Sequence, residues 1–316
     1  MKVIRDIEDF PQLSHAVVTS GTFDGVHIGH QKILRRVIER ARQSNGQSVV
    51  ITYWPHPRLV LFPEDNELKL LSTIEERIEQ LQTFGIDYLL IIPFTKEFSR
   101  TSSRNFITDI LVRAINTKVL VIGYDHRFGK NREGSFEHLK ARSAQYGFEV
   151  EEIPRQDVDD VGVSSTKIRR ALESGDIETA NNYLGRPYSM TSLVEEGNKL
   201  GRTIGFPTAN MALPPAHKLI PGNGVYAVWG MVGNKRYPAM MNIGVRPTVD
   251  GKLLTLEVHL IDFSGDLYSK ELTVHFVEQL RKERKFENLE ALKTQLGKDK
   301  EQAQEVLLSH DTATSI

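Results

Sequence analysis

The spacing of apolar residues changes once along this chain, and that change restricts its possible folds more than any other feature. Between Ala16 and about Gly175, short apolar runs recur at 16–18, 49–51, 88–92, 119–122 and 148–153. Their separation, roughly thirty residues, is that of one strand-plus-helix unit. Helical spacing fills the gaps. Ile33, Leu34, Val37, Ile38 and Ala41 form one stripe, and Phe106, Ile107, Ile110, Leu111 and Ala114 another. Ser72 and Glu75 read as a capping box ahead of Ile78 and Leu81. This alternation predicts an α/β unit: a Rossmann-like parallel sheet covered by helices, with ligands at the C-terminal strand ends.

Past Gly185 the period falls to two. Leu254, Leu256, Val258 and Leu260 alternate with Thr255, Glu257, His259 and Ile261. Runs at 225–229, 237–242 and 272–277 also read as strands, with turn signals at Gly233-Asn234 and Asp250-Gly251. Many short strands predict a mainly β barrel or sandwich, of which we expect the barrel. Residues 287–308 then read as a C-terminal helix, with Leu289, Leu292, Leu296 and Ala303 available for packing. The expected domains are 1–184 and 185–316, divided near Gly185 and Pro187.

Composition narrows the function. Hydrophobic residues make up 40% and charged residues 26% of the 316, an ordinary globular mix. A formal net charge of −1 offers nothing to nucleic acid or an anionic membrane. The chain has no cysteine, which excludes disulfides and thiolate metal sites and fits a reducing compartment. MKVIRDIEDF lacks an apolar signal core, and no 18-residue apolar run follows. The expectation is a cytoplasmic protein with small-molecule partners.

Two motifs in the first half carry chemistry. GTFDGVHIGH (21–30) stands between the first strand and first helix. Gly21, Gly25 and Gly29 allow a tight turn and close approach of a ligand to the backbone. A helix starting near Gly29–His30 offers free N–H groups and a favourable dipole to an anion. His27 and His30 can add imidazole donors whose charge responds to pH. The set suits a nucleotide triphosphate and the charge that develops on its phosphorus. A metal site or incidental histidines fit the same two residues, although a metal needs further ligands. In VSSTKIR (163–169), Ser164 or Ser165 can cap a helix, while Arg169 lies one turn in, where a guanidinium can hold phosphate.

The second half has its own dense stretch, EGNKLGRTIGFPTAN (196–210). A loop with Gly197, Gly201, Gly205, Lys199 and Arg202 can close over phosphates, or be a polar hairpin turn. If extended, Thr208 and Asn210 share a face, and their oxygens suit Mg²⁺ beside nucleotide phosphates. A strand entry held by side-chain hydrogen bonds is the other reading. Glu257, on the polar face of its strand, is a candidate base for an alcohol's proton, or simply an exposed strand glutamate.

At these residues the chain resembles a known family. GTFDGVHIGH with SSTKIR is similar to the nucleotidyltransferases with a His-x-Gly-His signature. The closer likeness is to the bacterial bifunctional riboflavin kinase/FAD synthetases, supported by YWPHP (53–57) and GYDHRFG (123–129). For the first half the resemblance implies transfer of AMP from ATP to FMN, with release of pyrophosphate. It places ATP at Gly21, Thr22, Phe23, Asp24, Gly25, His27, Gly29, His30, Ser165, Thr166 and Arg169. It places the flavin at Phe62, Asp125 and Phe128, the phenylalanines otherwise reading as core. GFPTAN (205–210), GVYAVW (224–229), MNIGVRPT (241–248), LEVHLIDFSGDLY (256–268) and LRKERKF (280–286) resemble the riboflavin kinase module. That likeness implies Mg²⁺ and ATP at Thr208 and Asn210, with Glu257 as base. It puts the nucleotide and flavin among Lys199, Gly201, Arg202, Gly205, Phe206, Pro207, Arg281, Glu283 and Phe286. His126, Val245 and Ser269-Lys270 depart from the family pattern.

The expectation is a two-module transferase that uses ATP and Mg²⁺ and has riboflavin, FMN and FAD as substrates and products. The alternatives are a nucleotidyltransferase for another substrate, which leaves GFPTAN and Glu257 unexplained, and a flavin or nucleotide sensor with a non-catalytic barrel.

Overall fold

The computed structural model describes residues 1–64, 68–124, 128–129, 136–154, 162–197, 200–248 and 251–314. The chain forms two compact units, Met1–Ser165 and Thr166–Ile316.

The first unit is built on a six-stranded sheet of order β1-β4-β3-β2-β5-β6. Its strands are β1 (Lys2–Ile4), β2 (Ala16–Ser20), β3 (Gln47–Trp54), β4 (Tyr88–Pro93), β5 (Thr117–Gly123) and β6 (Glu149–Ile153). All neighbours pair in parallel. The chain steps outward from β2 to β3 and β4, then crosses back to β5, which lies against the other side of β2. This is a doubly wound sheet, and its ligand crevice belongs beyond the C-terminal ends of β2 and β5. Five of the six strands follow the apolar runs. β1, only three residues long, is too short to show a period.

Strand β2 is buried along its whole length, so its alternate residues feed two cores. Ala16 and Val18 join Ile107 and Leu111 on one face. Val17 packs with Val37 and Ala41 of helix α1 (Ile28–Gln43) on the other. Helix α2 (Pro57–Leu61) is a short turn after β3, and α3 (Ile74–Gln82) precedes β4. The apolar stripe at 106–114 is wound as a π-helix, Phe106–Ala114, after the short α4 (Ser103–Asn105). Helix α5 (Phe136–Tyr146) leads into β6.

Two helix starts differ from the sequence expectation. Helix α1 begins at Ile28, one residue before Gly29, because His27 Nδ1 accepts from the His30 N–H and serves as the cap. The capping box of α3 is Thr73 with Glu76, not Ser72 with Glu75. Ser72 is engaged elsewhere: its N–H donates to Asp24, and its hydroxyl accepts from the Gly25 N–H.

In the second unit, α6 (Ser165–Ser174) and α7 (Ile177–Leu184) precede a closed barrel of order β10-β11-β8-β7-β12-β9. Asn181 of α7 ties that helix to the barrel by donating to the Phe276 carbonyl and accepting from the Tyr188 N–H. The strands are β7 (Tyr188–Glu195), β8 (Ala209–Met211), β9 (Gly224–Val232), β10 (Lys235–Thr248), β11 (Gly251–Leu260) and β12 (Glu271–Arg281), with the one-turn helix α8 (Leu200–Thr203) between β7 and β8. Helix α9 (Leu289–Thr314) lies along one face of the barrel, where Ala303 and Leu307 pack on Ala227, Met240 and Val277. Leu289, expected to pack, is 47% exposed at the first turn. Among the described residues no helix is long and apolar enough to cross a membrane.

Candidate functional site

In the first unit, GTFDGVHIGH leaves the C-terminal end of β2, at the crevice of the doubly wound sheet. Its backbone is under strain. Phe23 (φ 47°), Gly25 (φ 77°) and Val26 (φ 40°) are all left-handed, a region that costs a β-branched or bulky residue free energy. Such a turn persists only where its surroundings over-determine it. Here the Asp24 carboxylate, 1% exposed, accepts from the Leu71 and Ser72 N–H groups. The Ser165 hydroxyl donates to the Asp24 carbonyl at 3.2 Å. Phe23 is buried and packs edge-on to His30.

His27 and His30 stack at 3.7 Å between ring centroids, 15° from coplanar. Burial, aided by the charges of His27 and Arg77, pushes His30 well below the ordinary histidine pKa. His30 is therefore a neutral imidazole at pH 7, not a charge that switches there. Its Nδ1 is buried with no hydrogen-bond partner among the described residues. His27 Nδ1 accepts a bond from the His30 N–H, so the proton of its neutral form sits on Nε2. The loop thus places two imidazoles and a helix N-terminus beside one another, a set that suits polyphosphate.

Gly21, Thr22 and Gly29 belong to the same loop and helix start. Thr166 and the half-buried Arg169 lie on α6, in the second compact unit. Phe62 closes α2 and is 58% exposed, whereas Phe128 is 7% exposed and packs on Phe106. Asp125 and His126 lie outside the described residues.

The barrel carries a cavity of about 260 Å³ on the face covered by α9. Strand register builds its polar wall. Glu257 of β11 pairs with Asn242 of β10 on one side and with Asn210 of β8 on the other. The three side chains thus form a row across three strands, since opposite residues share a face. Thr208 stands beside Asn210, and both also line a small recess with Gly197, Arg202, Pro207 and Tyr268. Gly197 is required there, because a Cβ on it would run into the Asn210 amide. Arg246 stands 3.4 Å from the Glu257 carboxylate. His259 donates from Nδ1 to the Pro207 carbonyl at 2.8 Å, fastening the end of GFPTAN to β11. Burial lowers its pKa, so it too is neutral at pH 7 and its Nε2 is an acceptor.

A second wall comes from the end of β12 and the segment after it. Arg281 grips Asp299 of α9 through Nε and Nη2, which fixes the helix against the barrel. Glu283 lies over Gly244, and Phe286 sits under the guanidinium groups of Arg281 and Arg284. Phe206, Gly201, Leu292 and Leu296 complete the cavity. The expected residues Gly201, Phe206, Thr208, Asn210, Glu257, Arg281, Glu283 and Phe286 therefore meet in one place. Arg202 and Pro207 border the recess, Gly205 lines neither space, and Lys199 lies outside the described residues. Sequence reasoning passed over Asn242, Arg246 and His259 as site residues. His259 was readable, two positions from Glu257 on the same face; Asn242 needed the register between β10 and β11.

Among the described residues no cluster of three or more His, Asp or Glu side chains can hold a metal ion alone. Thr208 and Asn210 offer two neutral oxygen donors that line both spaces. That set fits Mg²⁺ that arrives with phosphate oxygens and keeps its waters.

Fold and sites define a two-module protein: a nucleotide-binding α/β unit with a strained loop at its switch point, and a barrel with a polar cleft. Residues 9–167 match the FAD synthetase family model, and residues 184–307 match the riboflavin kinase model. The bifunctional riboflavin kinase/FMN adenylyltransferase of Escherichia coli (strain K12) is 39% identical over 96% of this chain and 97% of its own length. The one from Listeria monocytogenes is 38% identical over 90% of both. A crystal structure from Streptococcus pneumoniae, described as a macrolide-efflux protein, is 32% identical, with TM-score 0.87 over 96% of this chain and 98% of that one. Efflux is said of that protein by its description alone; what the two chains share is fold and sequence over nearly their full lengths. The chain belongs to the family of bifunctional riboflavin kinase/FMN adenylyltransferases.

Proposed function

We infer that this chain makes both flavin cofactors. The barrel transfers the γ-phosphoryl of ATP to the riboflavin 5′-hydroxyl, giving FMN and ADP. The α/β module transfers AMP from ATP to FMN, giving FAD and pyrophosphate. The observation that carries this is the order of two family matches along one chain, each on a fold with its own nucleotide-suited site. The modules are taken as 1–184 and 185–316. A cytoplasmic location agrees with the cysteine-free composition.

In the barrel, Glu257 accepts the hydroxyl proton as the oxygen attacks phosphorus. Asn242 and Asn210 flank it in register and hold the reacting groups in place. Thr208 and Asn210 would hold Mg²⁺ with the ATP phosphates, and that ion neutralises charge on their oxygens. Arg202 and Lys199 serve the phosphates, and Phe206, Arg281, Glu283 and Phe286 border nucleotide and flavin. In the α/β module the loop 21–25 and Gly29 bring backbone close to ATP, and His27 and His30 face its phosphates. The family resemblance assigns Ser165, Thr166 and Arg169 to ATP, and Phe62, Asp125 and Phe128 to the flavin.

ATP labelled in turn at its γ and α phosphorus tests the reading. Riboflavin should take up γ label as FMN, and supplied FMN should take up α label as FAD. Failure of either transfer with the wild-type chain contradicts the corresponding half.

A further inference from the structure

Arg77 of α3 is completely buried, yet it lacks the partners a buried cation ordinarily has. Its Nε and Nη2 make no hydrogen bond among the described residues. Nη1 donates to the Thr52 hydroxyl at 3.4 Å, and the guanidinium lies 5.6 Å from the centre of the Trp54 ring. Among the described residues its one ion-pair partner is the Asp24 carboxylate, 3.9 Å from Nη2. An arginine that only filled space here would be better replaced by an apolar side chain of similar volume.

What Arg77 touches explains its place. The Thr52 hydroxyl donates onward to the Thr22 carbonyl at 3.2 Å. One guanidinium therefore reaches Thr22 through Thr52 and reaches Asp24 directly. Between those two residues stands Phe23, at φ 47°, and just beyond them Val26, at φ 40°. The strained turn of GTFDGVHIGH is thus held on both sides of Phe23 by one buried charge, in a setting where electrostatic interactions are strong. The loop's other ties include the Leu71 and Ser72 N–H bonds to the Asp24 carboxylate, Gly25 N–H to Ser72, and Ser165 to the Asp24 carbonyl.

We propose that Arg77 is a positioning residue for FMN adenylylation, holding the loop in the conformation that presents His27, His30 and the α1 N-terminus to the triphosphate. The proposal rests on the reading of the α/β module as the adenylyltransferase. Arg77 touches no substrate; it acts through Asp24 and Thr52.

The test measures FAD formation from FMN and FMN formation from riboflavin separately in the full chain. In Arg77→Met, kcat for adenylylation should fall about tenfold or more, with riboflavin phosphorylation within about twofold of wild type. Arg77→Lys, which keeps the charge, should recover most of the loss. A merely structural role would lower the melting temperature of both variants and leave the kcat of folded protein alone. A folded Arg77→Met with wild-type kcat overturns the proposal, as does an Arg77→Lys no better than Arg77→Met. Should Arg77→Met fail to fold, Thr52→Val decides, since it keeps side-chain volume and cuts the link to Thr22. It should lower kcat about threefold or more, and a wild-type kcat in it overturns the proposal. A wild-type chain that made no FAD from FMN would refute the functional reading and not the role of Arg77.

Discussion

In the α/β unit the groups proposed to face ATP stand on a loop with left-handed backbone at Phe23, Gly25 and Val26. In the barrel the proposed base Glu257 and its neighbours Asn242 and Asn210 stand on three adjacent strands. The first site needs its main chain held in place, and a buried network around Asp24 does so. The second rests chiefly on correct strand pairing, because register sets its side chains in a row. Damage should therefore differ in kind. Changes that touch no ligand weaken the loop site from behind, whereas the barrel site is sensitive to groups in its own cleft.

The largest effect should come from Glu257→Gln. It keeps the shape of the row and removes the base, so riboflavin phosphorylation should drop about 100-fold or more while FAD formation from FMN stays at wild type. Chromatography of the flavin products reads both. Next is Gly197→Ala, whose Cβ displaces the Asn210 amide. It should lower phosphorylation about tenfold, again leaving adenylylation untouched.

Two adjacent positions sharpen the contrast further. Ser72→Ala removes the hydroxyl that accepts from the Gly25 N–H and loosens the loop, so FAD formation should fall about threefold. Thr73→Ala removes only the cap of α3. It should cost about 1 kcal/mol in thermal or denaturant unfolding, with kcat unchanged. Equal behaviour of the two would erase the distinction between a loop tie and a helix cap.

The smallest effect is on acid stability. His30 in one unit, and His259 and His275 in the other, are held neutral chiefly by burial, with folded pKa values below the usual 6.5. An unfolded chain binds protons at these sites before the folded one does. Their neutral burial is without penalty above about pH 6.5, and stability falls as pH drops below it. Melting temperatures at pH 7.5 and 5.5 should differ in that direction, and less so in His275→Gln. A melting temperature that rises on acidification would contradict the neutral assignment.

The sequence exposed the architecture because both periods are long and clean: five apolar runs mark five parallel strands, and Leu254 to Leu260 mark β11. It exposed GTFDGVHIGH and GFPTAN because their chemistry is dense over a short span. It hid what depends on partners distant in the chain. Ser72 looked like a cap, and only the fold shows it serving Asp24, 48 residues away. Asn242 became a site residue only once β10 was paired with β11. Arg77 looked like any charged helix position, since no local spacing reveals that a guanidinium faces inward.

The central claim is that one chain holds two separable chemistries in series. Glu257→Gln and His30→Ala chains, assayed alone and then mixed with riboflavin, ATP and Mg²⁺, test it most directly. Alone, the first should leave riboflavin unchanged and the second should accumulate FMN; mixed, they should yield FAD. A Glu257→Gln chain that still makes FMN, or a His30→Ala chain that cannot, would contradict the account.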